Sequence, residues 1–178
     1  MRESDALDKN PHVSRAALES IHSQAYGWAL SRCDFNNAAA EDLMQQAYVE
    51  LLSGSARFDN KSSLKTFVFS VVQNLARSRY RRIASRLRMA KQYQQQASVE
   101  MDCVAEPDRD PNIWNVVQEL PARQRDIIEL VFCRELTVEQ AARVMGVSTG
   151  TGRVHYDRAK KALRSKLQSE WDLANEVR

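Results

Sequence analysis

The chain has 178 residues, 43% of them hydrophobic and 28% charged, with a net charge of +3. That size allows one domain or two small ones, and the balance is that of an ordinary soluble globular protein. The polar N-terminus argues against a signal peptide, no apolar run approaches the ~20 residues of a membrane span, and the place of action is expected to be the cytoplasm. Cys33, Cys103 and Cys133 are odd in number and widely spaced, which reads as reduced thiols. They make no ligand spacing with His12, His22 or His155, so neither a metal nor another cofactor is expected.

Residues 1 to about 12 read as a polar, disordered start. A helical pattern then runs from Val13 through Ala17, Ile21, Ala25 and Trp28 toward Cys33, extended by Leu18 and Leu30. Asp34 to Asn37 break it. From Ala40 to Leu52 a second helix places Leu43, Ala47 and Leu51 on one face and Asp42, Gln45, Gln46 and Val49 on the next. Between Cys33 and Ala56 there are four acids and no base. Such a face is either solvated surface or a docking face.

Ser53 to Ser63 read as a loop, and Ser62 or Ser63 caps the helix that follows. Leu64, Phe67, Val68, Val71, Val72 and Leu75 keep the helical spacing without a fault. Core packing accounts for Phe67; Phe69 and Tyr80 are open to packing or to stacking on unpaired bases. Between Lys61 and Val99 there are nine bases and no acid. An acid-free basic helix after an acidic one attracts phosphate.

From Tyr93 to Asn112 the apolar period is lost, acids and two prolines enter, and a flexible acidic linker is expected. It is a spacer, or its acidity mimics nucleic acid in a basic channel. Asn112 to Leu120 form a short helix. Pro121 suits the first turn of the next, which runs to about Arg134 and buries Ile127, Ile128, Val131 and Leu130.

Thr137 to Leu167 read as helix, tight turn, helix. Thr137 with Gln140 forms a capping box, Val138, Ala141, Ala142 and Met145 make an apolar face, and Gly146 ends the helix. Ser148 or Thr149 caps the second helix, which keeps Tyr156, Ala159 and Leu163 inward. Arg153, Arg158, Lys160, Lys161, Arg164 and Lys166 fall on its outer side, and Asp157 is the single acid between Ser148 and Gln168. Small residues at the start and bases along the length suit the DNA major groove. The fold class is therefore all-α: two small helical domains, residues 12–92 and 112–170, joined by a flexible acidic linker over 93–111, the second domain a helix-turn-helix. No Ser-His-Asp motif and no Gly-rich phosphate loop is present, so the chain is not expected to be an enzyme.

Three segments in this order resemble the bacterial sigma factors of the extracytoplasmic-function type, of the sigma-70 family: AEDLMQQAYVELL, FDNKSSLKTFVFSVVQNLARSRYRR and LTVEQAARVMGVSTGTGRVHYDRAKKALRSKL. The resemblance implies a factor that binds core RNA polymerase, recognises a two-box promoter and opens the downstream box. It assigns polymerase contact to Asp42, Leu43, Gln45, Gln46 and Val49. It assigns an extruded downstream-box base to Phe58, Asp59, Asn60, Lys61, Ser62 and Ser63, and the separated strand to Asn74, Arg77, Arg79, Tyr80, Arg81 and Arg82. The upstream box falls to Thr149, Gly150, Thr151, Arg153, His155 and Arg158. The implied partners are core polymerase, promoter DNA and an anti-sigma factor, often membrane-bound. Four departures stand out: Gln46 for a usual Glu, Phe67 for a frequent Trp, Gly152 for an aliphatic residue and His155 for a common Arg. Gly152 loosens the start of its helix or lets it approach something closely. The competing reading is an autonomous helix-turn-helix regulator, working as a dimer without polymerase.

Overall fold

The computed structural model describes residues 13–93 and 111–176, with side chains for 13–88 and 115–168. The start before Val13 and the body of the expected linker lie outside the described residues. Among those described there is no strand, and no helix is long and apolar enough to cross a membrane. The chain divides into two compact units, residues 1–105 and 106–178.

In the first unit α1 spans Arg15–Arg32, started by the Ser14 hydroxyl accepting from the Ala17 N–H at 3.1 Å. It buries Leu18, Ala25, Trp28 and Ala29. A tight turn follows in which Asp34 and Phe35 both take left-handed backbone, φ 50° and 59°. Side-chain-bearing residues adopt that conformation at a cost, and the turn is held by Phe35 N–H donating to the Leu30 carbonyl at 2.9 Å. α2 (Asn37–Leu52) is capped by Asn36 and buries Ala40, Leu43, Met44, Ala47 and Leu51. α3 (Leu64–Tyr93) is capped by Ser63, whose hydroxyl accepts from the Thr66 N–H at 3.2 Å. Its 30 residues make a rod of about 45 Å. The N-terminal half is core, with Val68, Phe69, Val71, Val72, Leu75 and Ala76 buried; from Tyr80 to Arg88 every residue is exposed.

Of the two phenylalanines, Phe69, open to packing or stacking from sequence, takes the core place, and Phe67, expected in the core, is only half-buried. Phe69 is fully buried and stacks on Trp28 at 6.3 Å, while Phe67 is half-buried against Phe58 at 5.1 Å. Because α3 packs on both α1 and α2, its buried sector is wider than one apolar stripe.

In the second unit α4 spans Pro111–Gln118 and α5 Ala122–Ile128. Pro121 stands just before α5 with extended backbone (ψ 140°), not inside its first turn. The expected single helix to Arg134 gives way at Ile128 to a wider π turn, Glu129–Cys133. There the Arg134 N–H reaches the Glu129 carbonyl at 3.1 Å, and its guanidinium reaches the Glu129 carboxylate at 3.1 Å with both side chains buried. The wider turn buries Leu130 completely, leaves Val131 half-buried and exposes Phe132. α6 (Val138–Met145) carries the complete capping box of Thr137 and Gln140 and ends at Gly146, φ 65°. α7 (Thr149–Glu176) packs Ala159, Tyr156, Ala162 and Leu163 onto Val117, Leu120 and Ile128.

Candidate nucleic-acid interface

Helical spacing sets which α2 side chains are free for a partner. Asp42, Gln45, Gln46 and Val49 are exposed, Val49 to 64%. Leu43 is 2% exposed and faces the core, so its side chain holds the helix and is not presented. Asp42 and Gln46 line a groove of about 370 Å³ together with Leu75, Arg79, Arg82, Ile83 and Arg86 of α3. Two sets of residues assigned separately, one to the polymerase and one to DNA, thus meet in one groove.

On α3, Asn74, Arg79, Tyr80, Arg81 and Arg82 are exposed and Arg77 is half-buried. Two of them also bind this unit's own frame. The Tyr80 hydroxyl donates to the Arg32 carbonyl at 2.9 Å and meets Asp34 Oδ2 at 3.2 Å. Arg79 donates to the Ala39 carbonyl at 3.1 Å. Burial, and then the Asp34 charge, push the Tyr80 hydroxyl up to about 12. Burial likewise raises the Cys33 thiol in the adjacent cleft, against the opposing pull of Arg79. Cys33 and Cys133 form no disulfide.

The loop Phe58 to Ser63 is anchored at one end by the Phe58 ring on Phe67 and at the other by Ser63 as the cap of α3. Between them Asp59, Asn60 and Lys61 are exposed and Ser62 is half-buried. Asn60 takes left-handed backbone, φ 55°. Asp59 pairs with Lys61, and that hydrogen bond holds its carboxyl below the usual range.

In the second unit the turn between α6 and α7 ends at Ser148, whose hydroxyl accepts from the Thr151 N–H at 3.1 Å and meets the Thr151 hydroxyl at 2.9 Å. Gly152, one residue on, is buried beneath the start of α7. A Cβ placed there would come within 2.6 Å of the Ala142 Cβ. Gly152 is therefore the point where the two helices of the motif touch, the close-approach alternative for this residue. Thr149, Gly150, Thr151, Arg153 and Arg158 are exposed, while His155 is half-buried on the flank. Arg153 reaches across to Glu139 on α6 at 2.8 Å, and this bond holds the Glu139 carboxyl below its ordinary value. Lys166, expected on the outer side, is half-buried and paired with Glu119.

Several exposed apolar residues near these surfaces carry no sequence signal. Val154 is 46% exposed, Ile83 44% and Leu87 47%. An apolar residue in a helical stretch reads as core, and only the placement of neighbouring helices shows that these face out. Among the described residues no three His, Cys, Asp or Glu side chains converge as metal ligands would.

Residues 18–86 match the family model "Sigma-70 region 2" and residues 116–165 match "Sigma-70, region 4". The ECF RNA polymerase sigma factor EcfG of Rhodopseudomonas palustris (strain TIE-1) is 26% identical over 157 residues, 85% of this chain and 81% of that protein. The ECF RNA polymerase sigma factor SigC of Mycobacterium tuberculosis (strain CDC 1551 / Oshkosh) is 25% identical over 133 residues, 74% of this chain and 72% of its own. The structure of the sigma factor RpoE in complex with the anti-sigma factor NepR from Bartonella quintana superposes with a TM-score of 0.64 at 24% identity, covering 85% of this chain and 94% of that one. CnrH in complex with the cytosolic domain of CnrY gives 0.59 at 20%, over 94% and 97%. At these identities the structural likeness speaks for the fold.

Proposed function

The chain belongs to the sigma-70 family, in its extracytoplasmic-function form, and from that premise we propose a division of labour between its two units. It is an initiation factor for RNA polymerase and not an enzyme: binding free energy does the work, and the polymerase catalyses. Residues 12–92 dock on core polymerase and open the downstream promoter box; residues 112–170 read the upstream box.

On α2, Asp42, Gln45, Gln46 and Val49 make the polymerase contact. The loop from Phe58 to Ser63 takes the base extruded from the downstream box. Extrusion costs a few kcal/mol of stacking and pairing, and a loop already anchored at both ends loses little entropy in receiving it. Asn74, Arg77, Arg81 and Arg82, with the tethered Arg79 and Tyr80, line the separated strand. α7 enters the major groove with Thr149, Gly150, Thr151, Arg153 and Arg158 forward and His155 at the edge. Its exposed N-terminal face, seated on α6 through Gly152, is the observation that carries this reading.

RpoE from Bartonella quintana is solved with its anti-sigma factor NepR. That supports an anti-sigma protein, membrane-bound or not, as the partner that holds this chain inactive in the cytoplasm. The test is binding to core polymerase by the wild type and by Asp42→Arg. Charge reversal on an exposed face barely touches folding. Tight binding by the wild type, lost in the variant, is the expected result. If neither binds core while both shift duplex DNA, the chain is an autonomous regulator.

A further inference from the structure

Val154 is an exposed apolar residue on the N-terminal half of α7, where the other outward positions are polar or glycine. The buried positions of that helix run through Gly152 and Ala159, with Tyr156 and Leu163 half-buried, and Val154 lies between these turns at 46% exposure. Its exposed neighbours are polar or lack a side chain: Gly150 one turn earlier, Arg153 beside it, Asp157 and Arg158 one turn later. A Cβ added at Gly150 would meet nothing nearer than the Ser148 Oγ at 3.9 Å. The packing of α7 therefore does not demand glycine there. Its effect is to leave bare backbone one turn ahead of Val154, so that this strip of helix can come close to whatever it faces.

The floor of the major groove offers hydrogen-bonding groups at every base pair but a single kind of apolar group, the 5-methyl of thymine. An isopropyl group with bare backbone ahead of it, Arg158 and Asp157 one turn beyond and Arg153 held at the side by Glu139 presents an apolar spot that matches that group. We propose that Val154 is a specificity-determining residue which reads the methyl group of one thymine in the upstream box, with Gly150 allowing the approach. The assignment rests on α7 being the recognition helix. It adds to the polar set of that helix a contact that hydrogen bonding cannot supply.

The test uses the full chain bound to core polymerase and a pool of randomised duplexes. Enriched duplexes are remade with each thymine in turn replaced by deoxyuridine, which removes one methyl group and leaves pairing intact. At one base pair the wild type should bind the uracil duplex about fourfold more weakly, as expected for one buried methyl. Val154→Ser should bind the two duplexes alike. The wild-type comparison needs no variant, so a folding defect cannot mask it. If no uracil replacement weakens wild-type binding, or if Val154→Ser keeps the same preference, the proposal is overturned. If the pool yields no enriched sequence at all, recognition by α7 fails as a whole, and this contact falls with it.

Discussion

α3 and the part of α7 up to Gln168 look alike in sequence, each a long basic stretch with one acid or none, but they are mounted in different ways. α3 is fastened by groups that could also face DNA: Tyr80 to the Arg32 carbonyl and Asp34, Arg79 to the Ala39 carbonyl. The start of α7 is seated by small residues, Gly152 against Ala142, with Arg153 tied to Glu139 at the side, and Tyr156, Ala162 and Leu163 pack its later turns. The first arrangement trades away some of the basic face for a fixed position. The second fixes the start of the helix through backbone approach and leaves most of its outward side chains available, Arg153 being the one shared with Glu139. Charge pattern alone does not tell how much of a basic helix is available to a partner.

Four substitutions bear on that contrast. The largest effect is expected for Gly152→Ala, whose Cβ would sit 2.6 Å from the Ala142 Cβ. Overpacking costs ~1–3 kcal/mol and the better helix propensity returns up to ~1, so the second unit should unfold several degrees earlier by circular dichroism. Gly152→Ala combined with Ala142→Gly should recover most of the loss; failure to recover would mean that the seat is not this contact.

Tyr80→Phe should come next, at about 1 kcal/mol for the lost hydroxyl bonds. The hydroxyl titrates ordinarily near 10 and in the fold near about 12, so the folded state holds the proton more tightly. Its contribution is full below pH 10 and is lost as pH rises toward 12. Melting curves across that window should show the wild type losing stability faster than the variant; parallel curves would remove Tyr80 as the fastening.

Gly150→Ala should act in the opposite sense to its neighbour two residues on. Its Cβ has open space, so the helix gains up to ~1 kcal/mol while duplex binding weakens. An unchanged affinity would separate Gly150 from the interface. Smallest should be Glu139→Gln, an exposed pair with Arg153. The Glu139 carboxyl lies below its ordinary value, so the contribution of the pair is present above that value and fades as pH falls. Nearly unchanged melting with altered base preference is expected; a general change of affinity across all duplexes would point to charge alone.

Features that depend on near neighbours were legible. The capping box of Thr137 and Gln140, the Gly146 stop and the stripe Val68, Val71, Val72, Leu75 each follow from residues within two or three turns. What escaped depends on distant partners. Phe69 lies off the stripe, so its sequence left packing and stacking both open, and Trp28, which covers it, decides for packing. Tyr80 meets Arg32 and Asp34 across the fold, with no local pattern to announce the contact. Leu43 and Val49 were both named for one interface, yet only Val49 is exposed, since neighbouring helices decide which side of an amphipathic helix stays wet. For Gly152 the sequence posed the choice between a loose helix and a close approach, and the position of Ala142 answered it.

The π turn at Glu129–Cys133 has a consequence for rotational phase. One residue of α-helix corresponds to about 100° of rotation, and a π turn takes up one residue more than an α turn over the same rise. Deleting one residue from this stretch would restore a regular α turn and leave the segments before and after it close to their present phase; the same deletion within a regular helix would swing them by that angle. Ile127 and Ile128 before the turn, and Leu136 and Ala141 after it, would keep their buried faces aligned. The wider turn is thus a place where the chain takes in one extra residue without re-phasing the helix that anchors this unit against the motif it carries.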